Sequence, residues 1–208
     1  MGDPDGVLES INERTGALFL VAGGLFVVFA AFHGVEAFMN RSAPKDIFGP
    51  AGFAFAFLGM IGLYPRLADR SRWLTRVGAV FATIGLITSA INSVWHVGIW
   101  VAPAAIPTES AALPAGMVLG QFLGYIPFGL ASLRAGVHSR TVGLLLVAVP
   151  TVLAVMIVTV ATGYATAGSA VVLGSVQAVL HLAIGFTLRS KGAQSDSAEM
   201  SIDDPAAK

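Results

Sequence analysis

Six apolar stretches follow one another along the 208-residue chain, running from Ala17 to Phe38, Ile47 to Tyr64, Val77 to Val101, Leu113 to Leu133, Val142 to Ala161 and Ser169 to Leu188. Roughly 20 apolar residues cross about 30 Å of hydrocarbon as a helix, so each stretch has the length of a membrane span. Short polar turns separate them. The pattern predicts an all-α fold, a polytopic transmembrane helical bundle of six spans. The second stretch is the shortest, and its opening, Ile47-Phe48-Gly49-Pro50, puts Pro50 in a first helical turn, where a missing backbone donor costs little.

Residues 1–16 form a mostly polar N-terminal segment with Asp3, Asp5, Glu9 and Glu13. The first span lacks the basic flank and short apolar core of a secretory signal, and is expected to persist in the mature protein. Residues 17–188 make up the membrane domain. Residues 189–208, rich in Ser and Asp from Ser195 onward, have no apolar face to bury and are expected to form a disordered cytoplasmic tail.

The basic residues set an orientation. With both termini cytoplasmic, ten lie inside (Arg14, Arg66, Arg70, Arg72, Arg76, Arg134, Arg140, Arg189, Lys191 and Lys208) and only Arg41 and Lys45 outside. Trp73 then marks an inner boundary, and Trp95, Trp100 and Tyr164 mark outer ones, as interfacial aromatics do. Composition agrees with a cell-membrane location: hydrophobic residues make up 55% of the chain, charged residues 12%, and the mean hydropathy is +0.78. The lipid bilayer is the first partner this implies, with a second copy or another membrane subunit compatible with it. A formal net charge of zero and the lack of any basic, aromatic-studded stripe exclude nucleic acid as a partner. Cysteine is absent, which rules out disulfides, thiolate metal sites and a cysteine nucleophile.

Two turns on the expected cytoplasmic side are alike. The first carries Gly62-Leu63-Tyr64-Pro65-Arg66 and Thr75-Arg76-Val77-Gly78; the second carries Leu133-Arg134-Ala135-Gly136 and Ser139-Arg140-Thr141-Val142-Gly143. Taken as a repeat, they imply helical hairpins related about an axis along the membrane normal. The stretch from Leu130 to Leu146, with its Leu-Arg-Ala-Gly-Val turn and Gly-Leu-Leu-Leu restart, resembles a broad group of uncharacterised prokaryotic multi-span membrane proteins, and Gly62 to Gly85 is similar to another hairpin of that group. His138 departs from its usual turn. The resemblance implies six or more helices and carries no activity or site residue.

Within the spans, Gly116, Gly120 and Gly124 recur every fourth residue and predict close helix packing. Pro127 and Pro150 predict kinks. Among acidic, basic and imidazole side chains, only His33, Glu36, His96 and His181 fall inside a stretch. Polar groups facing lipid are costly, so these residues are expected to turn inward together with Ser89, Asn92, Ser93, Gln121 and Gln177. Ser89, Asn92, Ser93 and His96 share one helical face. At about 1.5 Å per residue, His33 and His96 lie roughly 8 Å below the outer ends, the amides roughly 12 to 14 Å, and His181 roughly 18 Å, near the midplane.

Four readings of this polar layer stand side by side. As a hydrogen-bonded network it would simply lock helices in a structural or interaction subunit, at about 0.6 kcal/mol per contact. A b-type haem would use His33 and His96 as axial ligands, with Arg41 and Lys45 meeting its propionates. A zinc site could draw on His33, Glu36 and His96, the first two close enough to pair. A polar cavity with Glu36, Ser89, Asn92, Gln121, Gln177 and His181 as its candidate residues would bind or conduct a small polar solute, or relay protons. No phosphate-binding loop, His-Glu-x-x-His or Gly-x-Ser-x-Gly motif occurs, so no reaction is assigned.

Overall fold

The computed structural model describes residues 4–105, 110–136, 139–164 and 166–202. His138 of the second basic turn and Lys208 lie outside the described residues. The described residues are all-helical, 90% of them in helices, with no strand among them. Helix α1 spans Pro4–Met39, α2 Lys45–Ala68 and α3 Arg72–Val101; the fourth span is divided into α4, Ala112–Gly120, a π-helical turn, Gln121–Tyr125, and α5, Ile126–Ala135; α6 covers Arg140–Ala161 and α7 Ala167–Ile202. Six segments are long and apolar enough to cross a membrane: Arg14–Met39, Lys45–Ala68, Arg72–Val101, Ala112–Ala135, Arg140–Ala161 and Gly168–Ser190. The helical backbone continues through the polar residues beyond the first and last spans, from Pro4 and as far as Ile202.

The connections explain where the helices stop. Gly136 takes a left-handed conformation, φ 63°, that ends α5 as a glycine C-cap does. Between α2 and α3 the chain turns within three residues, with Ser71 N–H donating to Leu67 O at 2.9 Å. Arg70 reaches across from this turn and donates to the free carbonyl of Ala135 at the end of α5, 2.9 Å away. The two basic turns therefore lie side by side at one end of the bundle, called the basic end below.

Pro50 is not in a first turn. Helix α2 begins at Lys45, so the proline is internal, and its ring has to be accommodated beside the carbonyl of Asp46. The expectation failed because polar Lys45 and Asp46 extend the helix beyond the apolar run that defined the span. Pro127 is absorbed differently. Its ring cannot sit beneath the carbonyl of Leu123 in a regular α-turn, and the widened π-turn immediately before it makes the room.

The spans form a closed ring. Helix α1 packs on α7 and α2, α2 on α3, α3 on the fourth span, α5 on α6, and α6 on α7. Small residues let α3 and the fourth span approach closely: a methyl group placed on Gly120 would lie 2.6 Å from the Cα of Gly85. The fully buried core, including Phe19, Phe57, Met60, Leu63, Tyr125, Phe128, Leu146 and Ile184, fills the half nearer the basic end. Helix α6 is fully buried only in that half. Its buried residues are Val142, Gly143, Leu146, Val149 and Pro150, whereas Val155, Met156, Ile157 and Val158, which together point to every side of the helix, are exposed.

Candidate functional site

His181 is fully buried at the centre of the ring. Its Nδ1 lies 2.7 Å from the backbone oxygen of Gln177, one turn earlier on α7. A carbonyl can only accept, so Nδ1 carries the proton and donates. That leaves Nε2 as the acceptor for the hydroxyl of Tyr125, 2.8 Å away on the π-turn of the fourth span. Both nitrogens of a neutral imidazole are thereby engaged. Aromatic rings close in around it: Phe26 at 4.8 Å between ring centroids, Tyr125 at 6.0 Å, and Phe19 and Phe53 at 6.3 Å. Phe57 backs Tyr125 at 5.8 Å.

A layer of polar side chains lies on the side of this bond away from the basic end. Gln121 precedes Tyr125 by four residues, and Gln177 precedes His181 by four. The fourth span and α7 run in the same direction, so the two carboxamides stand at one level, a turn beyond the Tyr125–His181 bond. Gln177 Nε2 donates to the carbonyl of Val149, 3.3 Å away on α6 and directly before Pro150. From α3, Asn92 Nδ2 donates to the sulfur of Met117 at 3.3 Å, one turn beyond Gln121. Ser89, a turn from Asn92, is fully buried. Ser89 Oγ, Asn92 Oδ1, Gln121 Oε1 and Gln177 Oε1 are buried without a protein partner.

The polar stripe expected on α3 therefore does turn toward neighbouring helices at Ser89, Asn92 and Ser93, the last donating to Ile47 O on α2 at 3.0 Å. His96, at the far end of the stripe, is half-buried. His33 is also half-buried and meets Phe29 edge-on at 4.4 Å. Helix α2 stands between the helices that carry these two histidines, since α1 packs on α2 and α7, and α3 on α2 and the fourth span. Glu36 does not pair with His33. Lys45 Nζ donates to its carboxylate instead, because the short α1–α2 connection brings the lysine back over the end of α1. The lysine expected to meet a propionate is engaged there. Among the described residues no three His, Cys, Asp or Glu side chains gather as a metal site would require.

Tyr125 is the residue that sequence reasoning passed over. A phenol inside an apolar run, two residues before a proline of the same run, was the available signal: a buried hydroxyl needs a partner, and the turn before such a proline is where helices widen. No family model, curated protein or solved structure matches the chain.

Proposed function

We propose that this chain is a multi-pass protein of the cell membrane, with both termini cytoplasmic, whose interior binds a small polar solute at the carboxamide layer. The ten-to-two distribution of basic residues supports the orientation. The observation that carries the solute reading is the set of four buried polar atoms, on Ser89, Asn92, Gln121 and Gln177, that three spans contribute without pairing them. Each unpaired group costs several kcal/mol at hydrocarbon depth, and folded proteins leave few such groups without a partner. A solute that pairs with these atoms offsets that cost. Haem ligation by His33 and His96 has no comparable support, as the two imidazoles sit on helices separated by α2.

A structural role is the second reading. It is favoured by the bonds from Tyr125 to His181 and from Gln177 to Val149, which tie α7 to the fourth span and to α6. Thermal unfolding of the detergent-purified protein separates the two. A solute that binds only the folded state raises its stability by RT ln(1 + [L]/Kd). With methylammonium, urea, glycerol and acetate as probes, at least one should raise the melting temperature of the natural protein and fail to do so for Gln121→Leu and Gln177→Leu. A protein that no probe stabilises, and whose variants differ only in their baseline melting temperature, is a structural one.

A further inference from the structure

We infer that the basic end seats anionic phospholipids of the surrounding bilayer, phosphate against arginine and acyl chain against the helices below; this rests on the membrane reading above and not on the solute site. Six arginines stand in and beside the two basic turns, Arg66, Arg70, Arg72, Arg76, Arg134 and Arg140, against one carboxylate, Asp69. All seven residues are exposed. Among the described residues the ion pair that forms is Lys45 with Glu36, at the other end of the ring. Arg70 is engaged in holding the turns together through the Ala135 carbonyl. The remaining five present their charge outward.

The residues beneath these arginines favour a lipid over a soluble anion. Helix α5 packs on α3 to one side and on α6 to the other. Each of the three carries an exposed arginine and an exposed apolar residue four positions apart: Arg76 and Val80 on α3, Arg134 and Leu130 on α5, Arg140 and Leu144 on α6. That spacing puts both on one helical face, separated by about one turn of roughly 5.4 Å. On all three helices the arginine is the member nearer the basic end, because α3 and α6 start there and α5 finishes there. The opposite faces turn into the bundle, with Thr75, Gly78, Ala131, Ser132, Val142 and Gly143 buried. Trp73, exposed beside Arg72, adds an indole of the kind that settles at the headgroup boundary. A cationic rim over an apolar wall, repeated on three neighbouring helices, matches an amphiphile with a phosphate head. A choline or ethanolamine headgroup would set its own cation among arginines with only Asp69 to receive it, whereas phosphatidylglycerol brings no cation. Each arginine beside an anionic headgroup corresponds to about fivefold in affinity.

The experiment is equilibrium binding of fluorescently labelled phosphatidylglycerol to the full chain in a non-ionic detergent at low salt, with unlabelled phosphatidylglycerol, phosphatidylcholine of the same chains and glycerol phosphate as competitors. Phosphatidylglycerol should displace the label, phosphatidylcholine should be at least roughly tenfold weaker, and glycerol phosphate, which has the charge without the chains, should not compete. Arg76→Gln, Arg134→Gln and Arg140→Gln should each weaken binding about fivefold and their combination about a hundredfold, while Arg41→Gln, at the other end of the ring, should bind as the natural protein does. Size-exclusion profiles and melting temperatures identify a combined variant that fails to fold; the three single variants, set against Arg→Lys at the same positions, which keeps the charge, then supply the measurement. Equal displacement by phosphatidylcholine, or a folded combined variant that binds as the natural protein does, would overturn the inference. Displacement by glycerol phosphate as effective as by phosphatidylglycerol would make the patch a site for soluble anions and overturn the lipid. Release of the protein from cell membranes by alkaline carbonate would remove the membrane reading itself, and the inference with it.

Discussion

The hydroxyl of Tyr125 and the imidazole of His181 are each other's only side-chain hydrogen-bond partner in the centre of the ring. Such a pair is worth little net, because a span in lipid can find substitutes, yet breaking one half leaves the other stranded. Tyr125→Phe should therefore lower the melting temperature, and His181→Leu should do the same. Combining them should cost less than the sum. A double-mutant cycle by thermal or denaturant unfolding in detergent should give a coupling near the ~0.6 kcal/mol typical of interhelical hydrogen bonds and not above the ~1.7 kcal/mol maximum. Strict additivity would mean that the two groups stabilise the fold independently. The same scale shows what helical spacing alone leaves open at Glu36. Spacing along one helix makes His33, three residues away, the natural partner, whereas the lysine nine residues on reaches it through a turn that spacing does not describe.

Elements are positioned by small residues and by proline rather than by any apolar stripe. Gly120 lies against the backbone of Gly85, so its methyl derivative would have to push two helices apart. Gly120→Ala should cost about 1–3 kcal/mol, as overpacking of a tight contact does. Gly24 provides the control, since a methyl there meets nothing within 4 Å, and Gly24→Ala should be neutral or stabilising by up to about 1 kcal/mol through helix propensity alone. Paired unfolding curves for the two variants check the contrast; equal effects would show that helix propensity, not the approach of α3 to the fourth span, governs both. The apolar, membrane-length part of each helix was legible to within a few residues, though not the polar extensions of α1 and α7: the fifth stretch, Val142 to Ala161, matches Arg140–Ala161, and the fourth, Leu113 to Leu133, matches Ala112–Ala135. Its internal division was not. The π-turn answers a clash between Pro127 and the preceding turn, which a hydropathy profile does not register.

At the scale of the whole molecule, one end of the ring carries the Arg70–Ala135 contact and both basic turns, and the other carries the Lys45–Glu36 pair. If the basic end is cytoplasmic, a cysteine introduced at Ser110 should react with an impermeant thiol reagent added to sealed cells, and one at Arg72 only after permeabilisation. The natural chain has no cysteine to confuse the readout. Labelling of Arg72→Cys from outside would reverse the orientation and move the carboxamide layer to the cytoplasmic half of the membrane. The exposed second half of α6 is lipid-compatible in the same frame. Thr151, Thr159 and Thr162 return their hydroxyls to carbonyls of their own helix at 3.3, 2.7 and 2.7 Å, so no donor on that segment is left facing hydrocarbon.

By itself the sequence determined the number of helices long and apolar enough to cross a membrane, their approximate limits, the turns in which arginines gather and the short inventory of polar residues among them. Those properties depend on length and composition, because a helix in hydrocarbon satisfies its own backbone and asks only for enough apolar residues to cross. Which polar groups meet was decided by the tertiary structure. His181 and Tyr125 are bonded, while His33 and His96 are carried on helices separated by α2. The physical reason is that lipid is as apolar as the protein core, so the apolar–polar contrast that reveals a soluble helix's rotation is largely missing. Rotation and depth here come from close glycine contacts, a π-turn before Pro127 and the packing of Phe19, Phe26 and Phe53 around one histidine, all of which exist only once the helices have come together.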